Sequence, residues 1–369
     1  MIYLDYAANA PVDPEVLACF CETERRFCGN PNSRHPAGQA AAEAMRRAAE
    51  GIGALLDAAS GDIIFTSGAT EANNLALKGM AEKAGPSRRQ IISTPLEHSS
   101  VAETLRHLQK QGWQVDLLDI LPDGTPDLEQ LKALLHADTA MVAVTAVDSE
   151  LGTIQPLDRI REILRDYPDC RLHVDATQAV GRIPVSFAGT GTMSFAPHKF
   201  GGLNGSGVLI KRRNLSLEPQ IHGGESTTAW RSGTPALALA VSAEKALRLA
   251  LDNREERYAA VEKLNAELRE RLGRYENVRI NSPENSVPHI LNLSVRDVKG
   301  TVFQRRLAEH GVCVSVKSAC SSDGEPSAAV LAVSGDRRNA LSSWRISLSH
   351  QTAQEEIDRF LTIFEQCCR

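Results

Sequence analysis

The sequence predicts an α/β protein with a mostly parallel sheet in a large domain and a smaller α+β domain. Two observations carry this prediction. Short apolar runs alternate with helical patterns between residues 62 and 212. These runs are apolar throughout instead of alternating with polar residues, which is typical of strands covered by helices on both faces. The pattern then changes to short strands interleaved with amphipathic helices, which indicates the second domain.

The elements follow in a regular order. The predicted strands of the large domain lie at 62–67, 90–95, 141–147, 171–177, 192–198 and 207–212. One long helical stretch covers about 236–274, with apolar residues every three or four positions. We expect residues 14–252 to form the large domain, and residues 1–13 together with 253–369 to form the small one.

The composition argues against several classes of function. The 369 residues carry a net charge of −5 without a basic block, so no nucleic-acid partner is expected. The N-terminal segment lacks a secretory signal pattern, and no apolar run approaches the length of a membrane span, so a cytoplasmic protein is expected. The eight cysteines lack zinc-ligand spacing, and no metal site is predicted.

Four residues at the ends of predicted strands have side chains suited to catalysis or ligand binding. Lys199 stands between a strand and a glycine-rich turn in "SFAPHKFGG", where a solvated loop lysine is the structural alternative. Thr70 begins a helix after Gly68, either as an ordinary cap or in an anion cradle. Asp175 ends an apolar strand, as a structural cap or as a partner for a cation. His98 follows another strand. A phosphate cradle, a strand-end carboxylate and a lysine amine together match the requirements of pyridoxal phosphate.

Specific motifs run in a fixed order through nearly the whole chain: "LDYAANAPVDPEV", "GNPNSRH", "TSGATEANN", "EHSSV", "ELGTIQP", "HVDATQAVG", "HK" before a glycine loop, "HGG…RSGTP", "KSACSS…EPS" and "WRISLS". With these motifs the chain resembles the cysteine desulfurases of the class V aminotransferase family. The resemblance implies fold type I of the pyridoxal phosphate-dependent transferases.

The resemblance also implies roles for individual residues. Lys199 would hold the cofactor, Asp175 would pair with its pyridine nitrogen, and His98 would stack on its ring and shuttle protons. The remaining cofactor positions are Ala69, Thr70 and His198 at the phosphate, Gln178 at the ring oxygen, and Thr234 at the cofactor of a partner subunit in a homodimer. Ser149 and Ala196 depart from the family, which usually has an asparagine and a hydroxyl residue there. Asn30 and Arg345 would bind the substrate carboxylate, and Cys320 would be the nucleophile.

The implied reaction removes sulfur from L-cysteine, releases L-alanine and leaves a persulfide on Cys320. A sulfur-acceptor protein, either an iron–sulfur scaffold or an enzyme of tRNA or cofactor thiolation, would then take the sulfur. Three alternatives stay open, and one of them is a generic soluble α/β protein in which every motif would be a coincidence. Another is a selenocysteine lyase or another pyridoxal phosphate enzyme. The third is a non-catalytic partner or scaffold that keeps the fold without the chemistry.

Overall fold

The computed structural model describes residues 1–224, 226–317 and 325–368. Cys320, the predicted nucleophile, lies outside the described residues. In the parts of the chain that the structure describes, every helix is too short or too polar to cross a bilayer.

A seven-stranded sheet forms the centre of the larger part of the molecule. Its strands are β2 (Gly61–Thr66), β3 (Gln90–Ser93), β4 (Gln114–Leu117), β5 (Thr139–Thr145), β6 (Arg171–Asp175), β7 (Thr192–Phe195) and β8 (Gly207–Arg212). Their spatial order is β2-β8-β7-β6-β5-β3-β4. The strands from β4 to β7 pair in parallel, and β8 runs antiparallel to both of its neighbours. The predicted α/β class with a mostly parallel sheet is therefore confirmed.

Helices cover both faces of this sheet. They are α1 (Pro14–Arg26), α2 (Pro36–Leu55), α3 (Ala69–Lys83), α4 (Ser99–Lys110), α5 (Leu128–Leu134), α6 (Leu157–Ile163) and α7 (Leu237–Asp252). Successive residues of β5 enter different apolar clusters. Val142 and Val144 pack in one, and Met141 and Ala143 pack in the other. Burial on both faces explains why this strand is apolar at each position from 140 to 144.

A three-stranded antiparallel sheet lies in the C-terminal part, with the order β12-β10-β9. Its strands are β9 (Val278–Ile280), β10 (Ile290–Val295) and β12 (Ser343–Ser347), while β1 (Ile2–Tyr3) pairs in parallel with β11 (Val312–Cys313). The helices are α8 (Arg254–Leu272), α9 (Gly300–Glu309), α10 (Ala328–Ser334), α11 (Arg337–Ser342) and α12 (Gln354–Cys368). Ile2 and Leu4 share an apolar cluster with Trp344 and Phe364. The N-terminal strand thus packs with the C-terminal part, and the predicted domain boundaries stay a prediction.

The predicted helical stretch over 236–274 is two helices and not one. α7 ends at Asp252 and α8 begins at Arg254, with Asn253 between them at φ −111° and ψ 15°. This non-helical residue interrupts the helix at a single position, so the three-to-four-residue apolar spacing continues across the break. The spacing alone therefore does not separate the two helices.

Candidate active site

A cavity of about 290 Å³ opens at the carboxyl ends of the parallel strands. The predicted residues that line it are Ala69, Thr70, His98, Ser149, Asp175, Gln178, Ala196, His198, Lys199 and Arg345. Two other predicted residues, Asn30 and Thr234, are exposed and do not line it. One chain thus brings most of the predicted site together, at the edge of the sheet where α/β proteins bind their ligands.

The N-terminus of α3 forms one wall of the cavity. Gly68 precedes this helix of 15 residues, and no side chain caps it. The first backbone N–H groups of α3 therefore lack intrahelical acceptors and favour an anion. The start of β8 crowds against Gly68, because a Cβ on Gly207 would lie 2.3 Å from the Gly68 carbonyl carbon. The wall fits a phosphate group that is held by backbone amides.

Lys199 follows β7 in a short 3₁₀ turn, Pro197–Lys199. Its Nζ donates to the carbonyl oxygens of Ala7 at 3.0 Å and Ala8 at 2.7 Å. Burial lowers the pKa of Lys199 to about 8, with further contributions from Arg182 and Arg345. Asp5 and Asp175 oppose this change. The amine is therefore partly neutral near pH 8, as a nucleophilic lysine must be.

This pKa predicts how the amine of the cofactor-free protein reacts. Labelling of Lys199 by an acylating reagent should rise with pH and reach half its plateau near pH 8, because only the neutral amine reacts. Peptide mass spectrometry at a series of pH values measures this, with exposed Lys110 as the internal control. A midpoint above pH 10 would show that burial and the charges around Lys199 do not lower the pKa of its amine.

Asp175 ends β6 and is 4% exposed. Its Oδ1 accepts the backbone N–H of Thr177 at 3.0 Å, and its Oδ2 accepts Asn73 Nδ2 at 2.9 Å. Two fixed donors hold the carboxylate in one orientation at the cavity wall. A buried carboxylate held in this way is suited to face a protonated ring nitrogen.

Asn73 is a further residue of the site, and the local sequence does not mark it as functional. It is fully buried in α3. Its Nδ2 donates to Ser100 Oγ at 2.8 Å in addition to Asp175. Its Oδ1 accepts from His173 Nε2 at 3.1 Å and from the Ser194 hydroxyl. Both donors and both acceptor sites of the amide are used, so Asn73 ties α3 to β6, which ends at Asp175, and to β7, which precedes Lys199.

Replacing Asn73 by leucine is expected to lower the free energy of unfolding by about 2–4 kcal/mol, because Asp175 and three other buried polar groups lose their partner. Chemical denaturation of both proteins measures the difference. The matched control is Asn74→Leu, since the Asn74 amide donates to the Thr70 carbonyl, has no other hydrogen-bond partner among the described residues and is partly exposed. Equal decreases in the free energy of unfolding of the two variants would contradict the role given to Asn73.

His98 caps the N-terminus of α4. Its Nδ1 accepts the backbone N–H of Ser100 at 3.1 Å and lies 2.8 Å from the Ser100 hydroxyl. Because Nδ1 accepts an N–H, the neutral ring carries its proton on Nε2. Burial lowers the pKa of His98, with Asp175 opposing the change. His98 is therefore a neutral hydrogen-bond donor at Nε2.

Arg345 lies on β12 and is 2% exposed. Its Nη2 pairs with Asp5 Oδ1 at 3.1 Å, and its Nη1 donates to the Ser149 carbonyl at 2.7 Å. Its Nε is buried and has no hydrogen-bond partner among the described residues. Arg345 is thus a fixed cation that still has an unused donor. Such a group suits recognition of a carboxylate.

The two positions that depart from the family pattern both lie in the cavity wall. Ser149 holds Arg345 through its backbone carbonyl. Ala196 is fully buried directly before Pro197, so at this position the wall offers a methyl group in place of a hydroxyl. Gln178 is also held, since its Nε2 donates to the Ala7 carbonyl at 3.0 Å and its Oε1 accepts from Arg182.

None of the seven cysteines in the described residues lines the cavity. Burial raises the pKa of Cys170 to about 12 and that of Cys368 to about 11. Such thiols stay protonated and unreactive near neutral pH. Cys28 is the exposed one among the seven.

The sequence profile of the aminotransferase class-V family matches residues 2–360. The chain belongs to the class-V aminotransferase family. This class-V family member is 38% identical to the cysteine desulfurase IscS of Proteus mirabilis, over 97% of its own length and 90% of that protein. It is 35% identical to the NifS/IcsS protein homolog of Lactobacillus delbrueckii subsp. bulgaricus, over 99% of its own length and 97% of that protein.

Solved structures show the same architecture. The fold of this class-V family member superimposes on that of a NifS-like protein with a TM-score of 0.92, at 34% identity and over 99% of this chain and 98% of that one. It also matches the structure of SspA in complex with cysteine, with a TM-score of 0.82, at 28% identity and over 96% of this chain and 100% of that one. Fold type I is therefore confirmed.

Proposed function

We propose that this class-V family member is a pyridoxal phosphate-dependent cysteine desulfurase, which converts L-cysteine to L-alanine and passes on the sulfur. The observation that carries this proposal is the cavity itself. It combines a lysine amine of lowered pKa, a buried carboxylate and an uncapped helix N-terminus. Relatives of nearly full length carry the name cysteine desulfurase, which favours this activity over others in the family.

The residues present fit pyridoxal phosphate. The first amides of α3, with Thr70 and His198, would hold the phosphate. Asp175 would face the ring nitrogen, Gln178 the ring oxygen, and Lys199 would bind the cofactor covalently through Nζ. When bound, this cofactor supplies an electron sink that makes the α-carbon of an amino acid reactive. Ser149 and Ala196 provide fewer polar contacts here than the family usually has.

The chain's own groups would perform the remaining steps. Arg345 would bind the substrate carboxylate with its fixed positive charge, and the resemblance adds Asn30 to this task. Once the substrate amine has displaced it from the cofactor, neutral Lys199 Nζ would accept the proton that leaves the α-carbon. His98 would stack on the cofactor ring and donate a hydrogen bond from Nε2 without being charged itself.

Cys320 would be the nucleophile. Its Sγ would attack the sulfur of the substrate, the carbon–sulfur bond would break with its electron pair on the carbon, and protonation of that carbon would give alanine. The sulfur would remain on Cys320 as a persulfide. A free thiol has a pKa of about 8.5, so lowering it near a cation would increase the reactive thiolate fraction.

The attachment of the chain on both sides of Cys320 supports this role. Ser315, five residues before it, donates its backbone N–H to the Arg345 carbonyl at 3.2 Å. Ser327, seven residues after it, donates its hydroxyl to the Glu150 carboxylate, next to Ser149.

The quaternary structure and the acceptor are further parts of the proposal. Thr234 is exposed on its own chain, which agrees with a role at the cofactor of a partner subunit in a homodimer. The sulfur acceptor would be an iron–sulfur scaffold or a thiolation enzyme. We place the reaction in the cytoplasm, without a DNA or membrane partner.

An assay of the purified protein tests the activity. After loading with pyridoxal phosphate, the protein should absorb visible light, and addition of L-cysteine with a reductant should produce alanine and sulfide in equal amounts. Turnover of selenocysteine alone would favour a selenocysteine lyase. A protein that does not retain the cofactor after desalting would favour the non-catalytic alternative and overturn the proposal.

A further inference from the structure

A second, smaller cavity lies on another side of Lys199. Its volume is about 50 Å³, and Lys199 lines both cavities. The other basic residues in its lining are Arg182, Arg257, His289 and His350. None of the cofactor or substrate roles proposed above uses these four side chains. The concentration of basic groups in so small a space therefore needs its own explanation.

Arg182 is a buried cation without a carboxylate partner. It is 6% exposed. Its guanidinium donates to Gln178 Oε1, to the Gln178 carbonyl at 3.4 Å and to the Lys199 carbonyl at 3.5 Å. Among the described residues, no aspartate or glutamate lies within ion-pair distance of it. A buried charge that has only carbonyl partners is costly, and a nearby anion would remove much of that cost.

His289 provides the second observation. It is 8% exposed, and its Nδ1 is buried without a hydrogen-bond partner in the part of the chain that the structure describes. Its ring makes an edge contact with Tyr258, with centroids 5.9 Å apart. A buried ring nitrogen without a partner in a cavity wall indicates a missing hydrogen-bonding group, which is an acceptor when Nδ1 carries the ring proton.

The surrounding charges favour an anion as that acceptor. Burial lowers the pKa of His289, and Arg182 and His350 add to the effect. Burial and Arg257 lower the pKa of His350 to about 4. Within the described lining, Asp13 is the one carboxylate, and its Oδ1 already accepts the Glu15 N–H. Two arginines, Lys199 and two neutral imidazoles therefore line the cavity together with a single carboxylate, one oxygen of which already accepts a hydrogen bond.

We infer that this cavity binds a small monovalent inorganic anion of about the size of chloride, between Arg182 and His289. The volume has room for a small anion with a few waters and not for an extended ligand, because one water needs about 10–15 Å³ of such space. The bound anion neutralises Arg182 beside the backbone of Lys199.

Halide-dependent thermal unfolding of the full-length holoenzyme tests the inference. Sodium chloride or bromide should raise the melting temperature in a saturable manner by about 1–3 °C over sodium gluconate at equal ionic strength, because gluconate is too large for the cavity. Arg257→Gln and His289→Phe should lose this rise. The control Arg254→Gln, on the same helix but outside the lining, should keep it.

A bromide-soaked crystal locates the ion. An anomalous peak between Arg182 and His289 supports the inference, and so does its loss in His289→Phe. Equal melting temperatures in halide and gluconate, an unchanged halide effect in both variants, or a crystal without a peak in this cavity would overturn it. Repeating the melting series without pyridoxal phosphate keeps this result separate from the proposed enzymatic function.

Discussion

Replacing Lys199 by alanine is expected to abolish retention of pyridoxal phosphate and to lower alanine production from cysteine by at least about 10³-fold, the scale seen when a catalytic nucleophile is removed. The reason is that Lys199 carries the amine of lowered pKa in the cavity. Visible absorbance after desalting and a coupled alanine assay measure the two effects. The melting temperature of the cofactor-free protein should change little, since the hydrogen bonds of Nζ to the described residues go to two backbone carbonyls.

Two controls make this result specific. Lys199→Arg keeps the positive charge but cannot form the covalent link, so it should also fail to retain the cofactor. Lys110→Ala, at the exposed end of α4, should behave as the wild type. Activity of Lys199→Ala within tenfold of the wild type would show that another group holds the cofactor.

The second large effect is expected for Cys320→Ala. This variant should retain pyridoxal phosphate and still change its spectrum on addition of cysteine, yet release sulfide at least about 10³-fold more slowly. The residues that hold the cofactor and the nucleophile are separate groups. Removing the nucleophile should therefore slow sulfide release without affecting cofactor binding. Sulfide release and cofactor absorbance, measured on the same sample, distinguish them.

Cys28→Ala is the matched control, because Cys28 is exposed and lies two residues before the predicted substrate residue Asn30. It should keep full activity. The assignment of the nucleophile would fail if Cys320→Ala stayed fully active while Cys28→Ala lost sulfide release, although the fold and the cofactor site would stand.

The sequence predicts the central strands because burial on both faces leaves a continuous apolar run, as in β5. It misses β4 at the edge of the sheet, where Gln114 and Leu117 are exposed and the apolar signal is weak. Strand pairing at an edge depends on the neighbouring strand β3, which the local pattern does not contain.

Some residues of the site are likewise predictable from the sequence, and others are not. Lys199 and Asp175 are predictable because each breaks an apolar run at a strand end. Asn73 is not, since its partners lie 27, 100, 102 and 121 positions away along the chain. Arg182 likewise has no local signal, because its burial beside Lys199 arises from the tertiary fold. Residues that act by joining distant elements require the structure.

The central claim is that this chain moves sulfur from cysteine to Cys320. Mass spectrometry of the cofactor-loaded wild type, after brief exposure to L-cysteine without a reductant, tests this most directly. We expect the mass of one sulfur atom to be added to the peptide that contains Cys320, together with one alanine released per modified chain. An unmodified Cys320 peptide in a sample that has released alanine would contradict the account.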